Sequence, residues 1–466
     1  MLRSQTSAEG SLYELVARGV KDKFFIQDDA KAIHPFDWRY DKYPGVIPEE
    51  RWTVPLNPSR FSSRCEFEFD LPADVLMEAY IGIVLPSLMP PAIDVSSGTI
   101  VDENGHSYGY VNGSAFFLFE RIEIYQDTIL LQEVSGDTLY ASALTKGSYN
   151  QSFMSDVAAG VHDGSPLSIM RASEPGYLEL RVPMIGCAEP NDKGLPLCGL
   201  RDQKFRLRLT LRPLEQLIES NGPHIDPWNH TFTQTMQSGT TTFKGLARDL
   251  IKQPSLTLRT KQLYLSNEIR EQLAMETIEI PYIRYFDNIF NINQLDYNSV
   301  QNGGLGSIVR YLDASYTVER IVTFFRNMAD SRLNRLWKFN NNFITDGQYY
   351  KSIQLTIAGK VREEAWNSKV WQSVVGNAKE DKTSSKNIAI MNWTRGWRVS
   401  DGPNTLREPT GGVNFTTADR PMLTVILNDT VPDPILGYKQ VFMNSSCESW
   451  ALYKIRNRRG GLEYAN

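Results

Sequence analysis

The chain has 466 residues, 41% hydrophobic and 22% charged, and carries a formal net charge of −5. That length outgrows one ordinary core and predicts two or three domains, while the composition excludes a disordered chain. The acidic balance argues against a protein that wraps nucleic acid over its whole surface, though not against a local basic patch.

Four scattered cysteines, none in a CxxC, and five histidines argue against both a zinc site and a disulfide framework. Core thiols of a reducing compartment are the simpler expectation. The N-terminus has no apolar run of signal-peptide length. The most apolar segment, "AYIGIVLPSLMPPAI", holds three prolines and falls short of the roughly 20 residues that span a bilayer. A chain made in the cytosol and remaining soluble is expected.

In chain order, a polar arm (residues 1–24) contains a short predicted helix, "SLYELVARGV". From "FFIQ" onward short β-branched and aromatic runs bounded by Gly, Pro, Asp or Asn read as strands: "RWTVPL", "CEFEFDL", "YIGIVLP", "AFFLFERIEIY", "TILLQEV" and "YLELRVPM". Then comes "KFRLRLTLR", Lys204 to Arg212, in which Phe205, Leu207, Leu209 and Leu211 share one parity and the basic residues the other. Period two makes this a strand with one apolar and one basic face. The basic face is expected to be the outer flank of a sheet, with carboxylates supplied by neighbouring strands or subunits.

The polar tract "WNHTFTQTMQSGTTTF" predicts an excursion loop, about 214–254, within the first domain. Helical periodicity is confined to connectors, "RPLEQLIES" and "NEIREQLAMET", the second covering a linker at 268–275. A second strand series follows: "IEIPYIRYF", "SIVRYLD", "RIVTFF", "SIQLTIAG", "MLTVILN", "KQVFMN" and "WALYKI". The fold class expected is all-β, two tandem sandwiches at 25–267 and 276–466, with short helices and long loops.

Signals for chemistry are weak. "NGGLGS" fails the GxGxxG spacing, and there is no phosphate loop, GxSxG elbow or HExxH. "DENGHSYG" (Asp102 to Gly109) resembles the start of a calcium loop, but its glycine comes one step early and no closing glutamate follows; a turn-rich surface loop is expected. Glu120 and Glu123 fall on opposite faces of a strand and make no acid/base pair. The sequons at Asn112, Asn150, Asn229, Asn392, Asn414, Asn428 and Asn444 read as coincidence. The basic cluster "KIRNRRGG", Lys454 to Gly461, reads as a solvated rim or a partner contact.

Five segments in order carry a family resemblance. "LRVPMIGCAEPNDKGLPLCGL" places Val182-Pro183-Met184 and Leu195-Pro196-Leu197 before the alternating strand, and "LYLSNEIREQLA" supplies Tyr264, Leu265, Glu268 and Arg270. "LTIAGKVREE" keeps Gly359 and Arg362, with Ala358 in place of an asparagine. "EPTGGVNFTTADRP" supplies Pro409, Thr410, Gly411, Asn414, Phe415, Thr416 and Asp419, and the chain ends "GGLEYAN". Together these resemble the major capsid proteins of nucleocytoplasmic large DNA viruses. Ser315-Tyr316-Thr317 departs from the family's "NHP".

The resemblance implies a double jelly roll of two eight-stranded sandwiches. It also implies a structural, non-enzymatic role without cofactors: a homotrimeric, pseudohexagonal capsomer tiling an icosahedral shell. Implied partners are neighbouring capsomers, minor capsid or cement and vertex proteins, and, through partner proteins, an underlying internal membrane; direct nucleic-acid contact is not implied. The implied location is the virion capsid, after synthesis in host cytoplasm.

A structural turn motif, Pro409, Thr410, Gly411, Gly412 and Asn414, is expected from proline's fixed φ, glycine's tolerance of positive φ and the Asn side chain bonding its own backbone. The loops "SLMPPAIDVSSGTIVDENGHSYGYVNG", "RNMADSRLNRLWKFNNNFITDGQYY" and "NAKEDKTSSKNIAIMNWTRGWRVSDGPN" are candidates for the outward surface. The rivals are a carbohydrate-binding or glycan-active tandem jelly roll, which needs exposed aromatics and carboxylates along one sheet, and a minor capsid or vertex component. No such stripe is evident in the sequence.

Overall fold

The alternating runs form strands, and the strands pair by one plan used twice. A computed structural model describes residues 46–145, 160–188, 192–201, 203–228, 230–301, 306–341, 347–367, 369–371, 388–393, 411–417 and 420–463. The N-terminal arm with its predicted helix, "FFIQ", and most of the third long loop lie outside the described residues.

The first series comprises β1 (Val46–Thr53), β2 (Arg64–Glu68), β3 (Val75–Val84), β4 (Phe119–Gln126), β5 (Ile129–Val134), β6 (Tyr177–Arg181), β7 (Phe205–Leu211) and β8 (Ser255–Leu265). They form two sheets in the orders β1-β8-β3-β6 and β2-β7-β4-β5. After a helix at Asn267–Met275 come β9 (Ile278–Ile292), β10 (Ser307–Tyr311), β11 (Thr317–Asn327) and β12 (Tyr350–Ile357). The series closes with β13 (Lys360–Trp366), β14 (Ala389–Asn392), β15 (Met422–Leu427) and β16 (Val441–Arg456). These pair as β9-β16-β11-β14 and β10-β15-β12-β13. First-eighth-third-sixth over second-seventh-fourth-fifth is the jelly-roll order, and here it occurs twice.

On β7 the expected alternation is present: Phe205, Leu207, Leu209 and Leu211 are buried. Opposite the basic face, β2 supplies the carboxylates. Arg208 Nε meets Glu66 Oε1 at 2.7 Å and Lys204 Nζ meets Glu68 Oε1 at 2.6 Å, while Arg206 lies 3.8 Å from Glu68. Arg208 also stacks over Tyr125 of β4 at 4.8 Å.

Several segments differ from expectation. "AFFLFERIEIY" does not run as one strand. Ser114–Phe117 makes a helical turn, α1, entered through Gly113 at φ 76°, and β4 begins only at Phe119. All four α1 residues are buried, and Phe117 packs 4.8 Å from Tyr140 on α2 (Gly136–Thr145). An unbroken aromatic run has no period that separates strand from helix. "RPLEQLIES" is a 3-10 turn, Leu214–Gln216, and a short strand, Ile218–Ser220, which pairs with Tyr108–Tyr110; ladder hydrogen bonds override the helical spacing.

The polar excursion is itself folded. Thr231–Met236 and Gly239–Lys244 form a hairpin that also pairs with Thr99–Val101, and Phe232 and Gln234 are its buried anchors. "KQVFMN" and "WALYKI" belong to one strand, β16, across the polar bridge "SSCES". Two of the long loops carry buried structure as well. Tyr108, Tyr110 and Val111 of the first, and Leu336 and Phe339 of the second, lie in the core.

One apolar core fills the first roll and runs on into the second, through Tyr282, Val322, Phe324, Trp450 and Tyr453. A second core, including Ile321, Phe325, Met443 and Cys447, lies within the second roll. The sheet β9-β16-β11-β14 is therefore covered on both faces. Cys65, Cys187, Cys198 and Cys447 are all free thiols, and burial pushes Cys65 up to about 12.

Candidate functional site: a buried polar seam between the rolls

Where the first roll meets the covered sheet, charged groups of each roll are completed by the other. Arg320 on β11 and Glu448 on β16 face each other in register next to a bulge at Val318/Arg320, and both side chains are 0% exposed. Their contact is two-pronged: Nη2 to Oε1 at 2.6 Å and Nε to Oε2 at 3.2 Å. Further partners come from α2 of the first roll, where Ser142 Oγ donates to Glu448 Oε1 at 2.7 Å and Thr145 Oγ1 lies 3.4 Å from Arg320 Nη1. A buried ion pair repays its desolvation only with such complete bonding.

Two further carboxylates follow the same rule. Asp287 on β9 accepts from Thr138 Oγ1 at 2.7 Å and Ser135 Oγ at 2.9 Å, both in the first roll. Burial pushes its carboxyl above the ordinary value despite these bonds. Asp137 on α2 sits between Arg212 at 2.8 Å and Arg326 of β11 at 3.3 Å. Burial opposes its ionisation, but the two guanidiniums outweigh it and hold the carboxyl below the ordinary value. Asn444 Nδ2 donates to Thr138 Oγ1 at 3.1 Å.

The seam extends through backbone groups. Gln132 Nε2 of β5 donates to Ile283 O at 2.8 Å, and its Oε1 accepts from Tyr285 N at 3.2 Å, so one side chain splices β5 to β9. Asn334 Nδ2 donates to Ile218 O at 2.7 Å, and Trp337 Nε1 to Glu219 Oε2 at 2.9 Å. The second long loop thus stitches the rolls together.

On the opposite side of the first roll, β1-β8-β3-β6 shows an outer face with a cross-strand stripe. Arg259 lies 4.7 Å over Tyr80 and 5.9 Å from Trp52, and Arg181 covers Tyr80 at 5.3 Å. Glu179 holds Arg259 at 2.7 Å and Glu50 lies at 3.4 Å. Gly82 makes room for Tyr177: a Cβ there would stand 2.3 Å from the Tyr177 hydroxyl. Trp52 and Tyr177 remain 57% and 44% exposed. Aromatics and carboxylates do line one sheet, contrary to the sequence-based expectation. Their members come from four strands spread over about 200 residues, so no local pattern revealed them.

Of the predicted turn motif, Pro409 and Thr410 lie outside the described residues. Gly411 is half-buried. Gly412 is not in the left-handed region; a Cβ on it would meet Thr317 Cγ2 at 2.6 Å and Val318 O at 2.8 Å, so it serves close approach to β11. Asn414 Oδ1 accepts from Thr416 N at 3.0 Å and Thr417 N at 3.3 Å. Asp102 of the calcium-like loop spends its oxygens on its own loop, accepting from Asn104 N and His106 N at 2.8 Å and Tyr108 Oη at 2.9 Å. No cluster of metal-ligating side chains occurs among the described residues. Of the sequon asparagines, Asn112, Asn392 and Asn444 are buried.

The seam residues Arg320, Glu448, Asp287 and Asp137 carry no sequence motif. Their one trace is the polar run "NSSCES" inside a strand-like stretch.

No family model matches the chain, and no curated protein matches it. Solved structures do. VP54 of PBCV-1, fitted into a reconstruction of the virophage Sputnik, superposes with a TM-score of 0.65 at 12% identity, covering 92% of this chain and 100% of that one. In the PBCV-1 capsid the values are 0.62 and 13%, with the same coverage. The Faustovirus major capsid protein gives 0.58 at 11% identity, covering 95% of this chain and 96% of its own. In strand order and over nearly its whole length, this chain has the double jelly-roll fold of these viral major capsid proteins.

Proposed function

We propose that the chain is a viral major capsid protein, a non-catalytic building block that self-assembles as a pseudohexagonal homotrimer and tiles an icosahedral shell within the virion. The observation that carries this is the seam. Two rolls of identical strand order are joined by a shared core and by buried charges that each roll completes for the other. Such a unit behaves as one rigid block, as a repeating shell element requires. In this reading residues 25–267 and 276–466 are the two rolls, 268–275 links them, and 1–24 is an N-terminal arm. Neighbouring capsomers and minor cement or vertex proteins are its partners.

Light scattering on the purified chain tests this. The expected mass is about 159 kDa, three times 52.9 kDa. A stable monomer at micromolar concentration would overturn the reading.

The stripe of Trp52, Tyr80, Tyr177, Arg259 and Glu179 favours a second reading, in which the outer sheet binds carbohydrate. Trp52→Ala and Tyr177→Ala separate the two. Loss of glycan retention with the trimer intact supports carbohydrate binding, and loss of the trimer makes the stripe a subunit contact.

A further inference from the structure

The C-terminal basic cluster is shaped in a way that the shell reading does not use. β16 ends at Arg456 and returns as Arg459–Leu462 through the two-residue turn Asn457–Arg458, with φ of 52° and 60°. Such turns favour Asn-Gly, and a non-glycine residue in the second place costs on the order of 1 kcal/mol. An arginine kept there against that preference invites a functional explanation.

The first roll clamps this turn. Arg201 N donates to Arg458 O at 2.9 Å. Gln203 Oε1 accepts from Gly460 N at 2.7 Å, and its Nε2 donates to Gly460 O at 3.1 Å. Gln126 Nε2 donates to the same oxygen at 3.2 Å. The result is a cleft of about 580 Å³ lined by Asp127, Arg201, Gln203, Asn457, Arg458 and Arg459. Three arginines and one aspartate line it, and Asp127 already accepts from Lys204 N at 3.0 Å. Among the described residues, Arg458 and Arg459 form no ion pair.

We propose that this cleft binds a small multivalent oxyanion of the phosphate class, such as a triphosphate group. Guanidinium forks match phosphate oxygens two at a time, and the volume lies within the ordinary range of ligand pockets. The surroundings argue for a compact ligand over a polymer. The nearest basic row, Lys204, Arg206 and Arg208, is matched by Glu68 and Glu66 and so provides no continuing track. A free polyphosphate and a nucleotide's phosphates share this chemistry.

Calorimetric titration of the full-length chain at low ionic strength tests the site with three probes: tripolyphosphate, ATP and a single-stranded oligonucleotide of about 20 nucleotides. Tripolyphosphate should bind. Arg458→Gly should weaken it by about fivefold or more while leaving the fold intact or raising Tm, because glycine suits that φ. Arg459→Gln should weaken it similarly, and Asp127→Asn should tighten it. Equal affinity for ATP assigns recognition to the phosphates alone, and tighter ATP binding makes a nucleotide the source; both support the site. No tripolyphosphate binding, unchanged affinity in both arginine variants, or tighter binding of the oligonucleotide that grows with its length would overturn it.

Discussion

The sheets β1-β8-β3-β6 and β9-β16-β11-β14 have the same strand order but different surroundings. The first keeps one face in water and places Arg259 and Glu179 there, with side chains 19% and 21% exposed. The second is covered on both faces and encloses Arg320 and Glu448 completely. The same pair of residue types is thus a surface decoration in one roll and a structural dependency in the other. A pair that water still reaches contributes less, because solvent can replace a lost partner, whereas a fully buried charge has no such substitute.

The largest expected effect follows directly. Glu448→Ala should destabilise the chain by about 3–5 kcal/mol, leaving Arg320 buried without the carboxylate that faces it. The paired change of Arg320→Met with Glu448→Leu should recover most of that loss. Chemical denaturation of the three proteins checks this, and equal losses in the single and paired variants would break the contrast between the sheets.

Gly412→Val should cost about 1–3 kcal/mol or abolish folding, because the new Cβ meets the Val318 carbonyl of the covered sheet. Within the expected turn motif, Gly412 is thus the position where a side chain has no room. Wild-type thermal stability of the Gly412 variant would show that this edge yields.

Asp287 gives a pH-dependent test of the seam. Its folded-state carboxyl lies above the ordinary value, so its contribution is most favourable below the unfolded value and is lost as pH rises through the folded one. Asn at this position cannot titrate. Asp287→Asn should therefore gain stability on the wild type as pH rises above about 4, whereas the opposing dependence of Asp137 cancels in the difference. A difference that stays constant with pH would remove Asp287 from the seam's electrostatics.

Smallest of all, Glu179→Gln on the outer stripe should change stability by no more than about 1 kcal/mol, and less in high salt. A loss comparable to that of Glu448→Ala would mean the outer face is no ordinary surface.

Legibility from sequence followed burial. β7 was readable because one face is wet, so its leucines and arginines alternate. β11 and β16 were readable as apolar fragments but not as whole strands, because burial on both faces abolishes alternation and admits "SSCES" at the centre. α1 was missed because "AFFLF", which it shares with the start of β4, is apolar at every position.

Residue order alone specifies an all-β chain in two series, the alternation of its one-sided strands, and a family-like order of short motifs. Folding is what brings Arg320 to Glu448, lets Ser142 and Thr138 of the first roll complete charges of the second, and puts Trp52 and Tyr177 on one face. The physical reason is range. Period and turn chemistry act within a few residues, whereas a buried charge is satisfied by whatever the fold brings to it, here from as far as 306 residues along the chain.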